Sequence, residues 1–420
     1  MSDKQTVEQT SKPKLPALSV AEALAILDEE PVEPVVEDGA RVGVGRRLAG
    51  PLRTDRPYPP FDKAMMDGFA IRAADIHRSE FDIVGDASAG KLVGGAQAGQ
   101  AVRIATGAPV PAGTDAVVPI ELCTVDDIAE RVTIDGDVRL SDHIAMTGSD
   151  RAADDMILPT GSRLEAGTMP AACSVDHEGD VFRKPSVLVL CTGNEVVPDG
   201  QTPGLYQTRN AIGEPIRTLL ERIGCAAVHR PDPLPDDRAV IRRATEDALA
   251  GPSDALVFSG GMSMSNHDHV PHVLRALGFE FRIDKLRIRP GKPFVCAVLP
   301  ASTSQTGRAR YAFGLPGNPV SAFVCTLRLA SRLLIRLGGG DPNREMPVLP
   351  MPLAGGLEKA NGPREFYQPC RVDEAGVHPL AWRGSADVFT LAQADALLIR
   401  PENDPPHAPG ELVNILPIPR

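Results

Sequence analysis

Between residues 183 and 337 the chain alternates short, wholly apolar runs with longer stretches whose apolar positions recur every three or four residues. The runs are Ser186-Val-Leu-Val-Leu-Cys191, Asp254-Ala-Leu-Val-Phe258, Phe294-Val-Cys-Ala-Val-Leu299 and Tyr311-Ala-Phe313. Each is bounded by Gly or Pro, and such runs read as buried strands. The helical stripes are Ile212, Ile216, Leu219, Leu220 and Ile223, closed by Gly224, then Val240, Ile241, Ala244 and Ala248 after Asp236-Asp237. A third helix is expected near 269–277, closed by Gly278, and a fourth with Asn318 as its cap and Pro319 at its first position. The β-α-β-α order predicts a three-layer, mostly parallel α/β domain over 183–337.

The flanks read differently. Residues 1–16 are polar and expected to be a mobile tail. A helix follows, with Ser19 and Glu22 in a capping-box pattern, an apolar stripe of Val20, Ala23, Leu24 and Leu27, and a stop at Pro31 and Pro34. This helix, with residues 17–52 and 151–182, is assigned to a linking β domain. Residues 53–150 lack long helical periodicity and form a β-rich insertion, with strands expected at Met66–Ile71, Ala101–Ile104 and Asp115–Ile120. Residues 301–309 read as an exposed hairpin loop. Short alternating runs and many prolines over 338–420 predict a small β-barrel-like C-terminal domain. The fold class is α/β plus β-rich domains.

Composition narrows the function. A net charge of −11 argues against a nucleic-acid surface. No apolar run is long enough for a membrane span, and the N-terminus has no signal core, so a cytoplasmic protein is expected. Seven scattered cysteines with no C-x-x-C pair fit a reduced compartment.

Four glycine loops adjoin the apolar runs: Thr192-Gly-Asn-Glu195, Ser259-Gly-Gly261, Pro290-Gly-Lys-Pro293 and Gly314-Leu-Pro-Gly-Asn-Pro319. Ligands of open α/β sheets sit beyond the carboxyl ends of the strands. Three of these loops are expected there, with backbone N–H groups available to an anion. Thr192, Gly193, Ser259, Gly260 and Gly261 are therefore donor candidates, and Lys285 and Lys292 are candidate counter-charges. Lys285 reads equally as a surface lysine. Glu195, Asp236 and Asp268 each follow a strand and are candidates for holding a hard cation. Asp236 reads equally as a helix cap. His267-Asp-His269 lacks the spacing and fourth ligand of a zinc site.

The ordered motifs resemble the molybdopterin molybdenumtransferase family, the MoeA and gephyrin type. They are the four loops together with Phe61-Asp-Lys-Ala-Met-Met-Asp-Gly-Phe-Ala70 and Arg103-Ile-Ala-Thr-Gly-Ala-Pro-Val-Pro-Ala-Gly113, and the resemblance runs from about residue 16 to 420. It implies insertion of molybdate into adenylylated molybdopterin, with release of AMP and help from a divalent cation such as Mg2+. It implies a homodimer whose cleft lies between the α/β domain of one subunit and β-rich domains of the other, with molybdoenzymes or other cofactor-synthesis proteins as partners. On this resemblance Asp67, Glu195, Asp236 and Asp268 are the catalytic candidates, with Glu195, Asp236 and Asp268 as metal ligands. Thr106, Gly107, Asp150, Thr192, Gly193, Ser259, Gly260, Gly261, Lys285, Lys292, Pro316, Asn318, Pro319 and Ser321 are the substrate-binding candidates. Asp67-Gly68 reads alternatively as a turn.

The chain departs from the family's usual motifs at Ala64, where a hydroxyl is lost, and at Asn194, where an acidic residue is usual. Ser265 and Arg289 also differ, and Ala145-Met-Thr-Gly-Ser-Asp150 stands where a run of arginines is frequent. These changes keep two alternatives open: a non-catalytic paralogue that binds or delivers the cofactor, and a nucleotidyltransferase acting on another pterin.

Overall fold

The computed structural model describes residues 17–41, 43–91, 94–175, 178–262 and 269–419. The expected tail at 1–16, and the candidates Ser265, His267 and Asp268, lie outside them. The chain forms two compact units, residues 50–179 and the remainder.

The larger unit is built on a six-stranded sheet. We label its elements β1 (Ser186–Cys191), β2 (Ala226–His229), β3 (Ala255–Ser259), β4 (Glu280–Ile283), β5 (Val295–Leu299) and β6 (Arg310–Leu315), in the order β2-β1-β3-β6-β5-β4. The pairings β1–β2, β1–β3 and β3–β6 are parallel. Strand β5 runs antiparallel to both β6 and β4, so the sheet is mixed. Strands β3, β5 and β6 are buried along their whole length, which is why their sequences are apolar runs and do not alternate.

Helices α1 (Val20–Glu29), α2 (Gly213–Arg222), α3 (Arg238–Ala250), α4 (Val270–Ala276) and α5 (Pro319–Cys325) cover the sheet. Ile216, Leu219 and Leu220 of α2 pack with Val187 and Val189 of β1 and with α1 and α5 in one core. Ile241 and Ala244 of α3 and Val273 and Leu274 of α4 pack with Leu190, Leu256 and Phe258 in another. The helix begun by α5 continues through a π turn at Thr326–Ala330 to Ser331–Leu337. Hydroxyls back-bond along it, Thr326 Oγ1 to the Ala322 carbonyl at 2.9 Å and Ser331 Oγ to the Leu327 carbonyl at 2.7 Å.

Local chemistry sets the helix ends. Ser19 and Glu22 close the expected capping box, with Ser19 N–H to Glu22 Oε2 at 2.6 Å and Glu22 N–H to Ser19 Oγ at 3.1 Å. The open carbonyls at the other end of α1 receive Arg336, which donates to Leu27 and Glu30 at 2.6 and 3.0 Å. Gly224 at φ +94° ends α2, and Cys225 N–H returns to the Leu220 carbonyl at 3.0 Å. Helix α3 is capped by Asp237, which accepts from Ala239 and Val240, and not by Asp236. Asn318 occupies the cap position of α5 but its side chain caps nothing, contrary to expectation.

A second sheet carries Ile288–Arg289, Glu365–Asp373, Ala396–Arg400, Leu412–Pro417 and Leu349–Pro352 in that order, and Gly376–Pro379 pairs with Glu365–Asp373. The segment 300–309 joins antiparallel β5 and β6, as the hairpin reading expects. The smaller unit holds a six-stranded sheet containing Gly68–Ile71, Gln100–Ile104 and Ala116–Pro119; the first and last lie within the expected segments and the second begins one residue before its own. Leu52–Arg53 pairs with Met156–Leu158 in this unit.

Arg47 ties the larger unit together. Its guanidinium, 3% exposed, bonds Glu345 at 2.8 and 2.6 Å and the Ile223 carbonyl at 2.7 Å. Gly224, Gly338 and Gly340 leave room for it, since a Cβ at each would lie within 3.0 Å of its nitrogens. Removing one partner of a buried ion pair strands the other charge. Arg47→Ala is therefore expected to cost about 3–5 kcal/mol of stability, measured by chemical denaturation.

Candidate functional site

Strands β1, β3 and β6 end at one edge of the sheet and place Thr192–Glu195, Ser259–Gly261 and Pro316–Asn318 there. The fourth loop joins them. Because β5 is antiparallel, its start and not its end lies at this edge, with Val295 opposite Gly314. All four loops therefore share one edge, where three were expected.

The first two loops interlock through their backbones. Thr192 N–H donates to the Ser259 carbonyl at 2.7 Å. Gly260 and Gly261 have φ of +87° and +61°, and a Cβ on either would meet Thr192 Oγ1 at 2.8–3.0 Å. Thr192 Oγ1 is itself buried with no hydrogen-bond partner among the described residues. A buried hydroxyl left unpaired costs about 1–3 kcal/mol, so its lack of a partner among the described residues makes it a candidate donor or acceptor for a ligand.

Asp236 reaches this edge through Leu234, whose N–H donates to the Cys191 carbonyl at 2.8 Å while its carbonyl accepts from Gly193 at 3.1 Å. Asn194 and Asp236 then pair reciprocally: Asn194 N–H to Asp236 Oδ2 at 3.3 Å, and Asp236 N–H to Asn194 Oδ1 at 3.2 Å. Asp236 so stands against the residue next to Glu195. Two of the three expected cation ligands come to one edge, Glu195 exposed and Asp236 half-buried. Asp268 lies outside the described residues, among which no group of three or more His, Cys, Asp or Glu is placed to hold a metal. Carboxylates that retain free lone pairs suit a hard divalent cation.

Glu195 also lines a cleft of ≈ 680 Å³ walled by Pro290–Pro293, Pro316, Gly317, Asn318 and Ser321. Lys292 lies on this wall and is exposed. Pro319 begins α5 directly behind Asn318. Lys285 is not among the lining residues, and its carbonyl accepts the Leu18 N–H at 3.0 Å. Four residues that the sequence reading missed complete the wall: Arg364, Trp382, Gly384 and Ser385 of the C-terminal segment. Arg289, noted only as a departure, lines it too. The Gly-Ser pair beside the only tryptophan was the available signal. Among the four charged residues that line the cleft, the three cations Arg289, Lys292 and Arg364 outnumber Glu195. The wall is net positive, which suits an anion.

In the smaller unit Asp67 Oδ1 accepts from Thr106 N–H at 2.6 Å and from Thr106 Oγ1 at 2.8 Å. This joins the two distinctive N-terminal motifs, and Gly107 N–H closes on the Ala64 carbonyl at 2.8 Å. Asp62 holds Thr147 in the same way, N–H and hydroxyl both at 2.7 Å. The segment that lacks the usual arginines is thus clamped by a threonine. Asp150 is exposed and its N–H donates to the Tyr58 carbonyl at 2.9 Å. Burial pushes the thiols of Cys191 and Cys370 up to about 11 and about 12, which keeps both protonated at neutral pH.

The backbone N–H of Thr106, and then its hydroxyl, hold the Asp67 carboxyl below the ordinary aspartate range. A folded-state value below the unfolded one adds stability above the unfolded pKa, and this is lost as pH falls through the folded value. Thr106→Val keeps the larger backbone bond and removes the hydroxyl. The Asp67 titration, read from its side-chain carboxyl carbon by NMR, is expected to move part of the way up to the ordinary range.

Three family models match the chain in order: the MoeA N-terminal region (domain I and II) at residues 18–175, a probable molybdopterin binding domain at 188–335, and the MoeA C-terminal region (domain IV) at 352–418. The molybdopterin molybdenumtransferase of Nostoc sp. is 29% identical over 406 residues, covering 89% of this chain and 87% of the relative. That of Haemophilus influenzae is 29% identical over 375 residues, covering 86% and 88%. The crystal structure of a molybdopterin biosynthesis MoeA protein from Pyrococcus horikosii superposes with a TM-score of 0.77 at 25% identity, covering 96% of this chain and 99% of that one. With all three segments matched in the same order and the glycine loops gathered at one sheet edge, the chain belongs to the MoeA family of molybdenum cofactor biosynthesis.

Proposed function

We infer that this chain is a transferase that inserts molybdenum into molybdopterin, the activity named in its relatives. The observation that carries the reading is the cleft at the carboxyl edge of the α/β sheet. There Arg289, Lys292 and Arg364 face a single carboxylate, Glu195, and the loop glycines bring backbone donors close. A pterin phosphate and an oxometallate are both anions of the kind such a wall holds.

The finer assignment is our proposal. The substrate is adenylylated molybdopterin, molybdate is the incoming oxyanion, and AMP leaves. Lys292 neutralises the oxyanion or phosphate. The orphan Thr192 hydroxyl supplies a directed hydrogen bond. The Asn318 side chain makes no cap bond to α5, so its amide serves the ligand, beside Ser321 at the start of the same helix. Glu195 and Asp236 would hold a divalent cation such as Mg2+ with Asp268 as the third ligand. When bound, that cation supplies charge neutralisation at the phosphate oxygens. Asn194 fixes the Asp236 backbone and receives its carboxylate, so the pair is oriented before any cation arrives. Asp67, Thr106, Gly107 and Asp150 remain candidates on the smaller unit. A homodimer acting in the cytoplasm completes the proposal. The delivery-only alternative has no counterpart in the relatives' names.

Purified protein incubated with adenylylated molybdopterin, molybdate and Mg2+ is expected to release AMP in proportion to cofactor formed. No release above background, with an active relative as control, overturns the reading. Lys292→Ala is expected to lower kcat/KM about tenfold to a hundredfold, since a hydrogen bond to a charged group contributes about 1.5–3 kcal/mol.

A further inference from the structure

One wall of the cleft is aromatic. Trp382 is the only tryptophan of the chain. It lines the cleft beside Arg289, Arg364 and Ser385, and it is half-buried, packed on the main core. The Phe366 ring meets it edge-on, with centroids 5.9 Å apart and planes at 64°. The Arg289 guanidinium lies 4.5 Å over the Phe366 ring. Strand pairing fixes this stack, because Arg289 is the ladder partner of Phe366. The loop that carries Trp382 is pinned in turn: the Ser385 carbonyl accepts from Val320 N–H at 3.1 Å, and Asp387 accepts from Arg383 N–H at 3.1 Å.

A rigid indole kept partly open in a concave wall, with guanidinium groups on the same wall, fits a ligand that is flat at one end and anionic at the other. The π face takes a ring of any hydrogen-bonding pattern, and the cations take phosphate. A bare oxyanion uses the cations and leaves the indole idle. The cleft volume of ≈ 680 Å³ is within the usual range for sites that enclose an organic ligand of this size.

We propose that Trp382 is the ring-binding wall of this cleft, stacking the planar heterocycle of a phosphorylated heteroaromatic ligand while Arg364 and Lys292 hold its phosphate. The proposal rests on the reading of the cleft as a pterin-phosphate site and adds the residue that recognises the ring. The purine of an adenylate and the pterin bicycle share this chemistry.

Because the chain has a single tryptophan, its fluorescence under selective excitation reports this wall alone. The full chain is titrated with AMP, with a pterin monophosphate and with inorganic phosphate, and the same three titrations are followed by calorimetry in Trp382→Leu and Trp382→Phe. Saturable quenching by AMP identifies the purine as the stacked ring, and quenching by the pterin identifies the pterin. In either case Trp382→Leu is expected to weaken that ligand about tenfold or more, Trp382→Phe to restore most of the loss, and phosphate affinity to stay unchanged. No quenching by either ring, or equal ring affinity in wild type and Trp382→Leu, overturns the proposal. A Trp382→Leu variant that weakens phosphate as much as the rings also overturns it, since that pattern is structural. AMP release from adenylylated molybdopterin by the wild type is measured separately. Its failure counts against the activity, while the ring titrations still decide the role of Trp382.

Discussion

The site depends on the direction of one strand. β5 runs against its neighbour β6, so the chain enters it at the edge where the parallel strands leave. This reversal puts Pro290–Pro293 beside Pro316–Asn318 and makes a cleft from two loops that a wholly parallel sheet would hold at opposite edges. It also recruits the C-terminal segment. The two residues just before the loop, Ile288 and Arg289, pair with Glu365 and Phe366 of the second sheet. The same few residues therefore end one sheet and begin the other, and Arg364 and Trp382 are carried into the cleft by main-chain hydrogen bonding.

The two edges of the α/β sheet have been treated in opposite ways. At the edge where β3 begins, Asp254 is buried and fully engaged: it accepts from Ser186 N–H at 2.8 Å and from Arg183 at 2.7 and 2.9 Å, and Arg310 lies 3.6 Å away. Such a charge is tolerated inside only because it is paired and hydrogen-bonded. At the other edge the polar groups are under-used. Thr192 Oγ1 has no partner among the described residues, the Asn318 side chain caps nothing, and Glu195 and Lys292 are exposed. Folding pairs the polar groups of one edge and leaves Glu195 and Lys292 of the other accessible.

Periodicity carried the fold well where burial is one-sided or complete. The stripe ending at Gly224, the capping box at Ser19 and Glu22, and the apolar runs of β1, β3, β5 and β6 all depend on local rules, and each lies where its pattern placed it. Strand direction is not a local property, which is why only three loops could be assigned to the ligand edge. The same limit hid Arg364, Trp382 and Ser385. They reach the cleft through a ladder between residues about eighty positions apart in sequence, and nothing near them signals that pairing. Asp236 shows the limit at a single residue. An acidic pair before a helix reads as a cap for either member, and only the backbone geometry assigns the cap to Asp237 and releases Asp236 to Asn194.

That release bears on the substitution at position 194. Asn194 offers a carbonyl oxygen to the Asp236 N–H and its own N–H to the Asp236 carboxylate. An aspartate there could accept the same N–H, but it would set a second negative charge against Asp236 and raise the cost of holding both ionised without a cation. The amide removes that repulsion while keeping both hydrogen bonds of the pair. It also removes one anionic donor from the edge. Under the proposed assignment this leaves fewer charges for a divalent cation, whose coordination carboxylates and phosphate oxygens would then share. Glu195 is next to Asn194 in sequence and lines the cationic cleft in space, so the carboxylate–amide pair and the cationic wall meet at that one side chain.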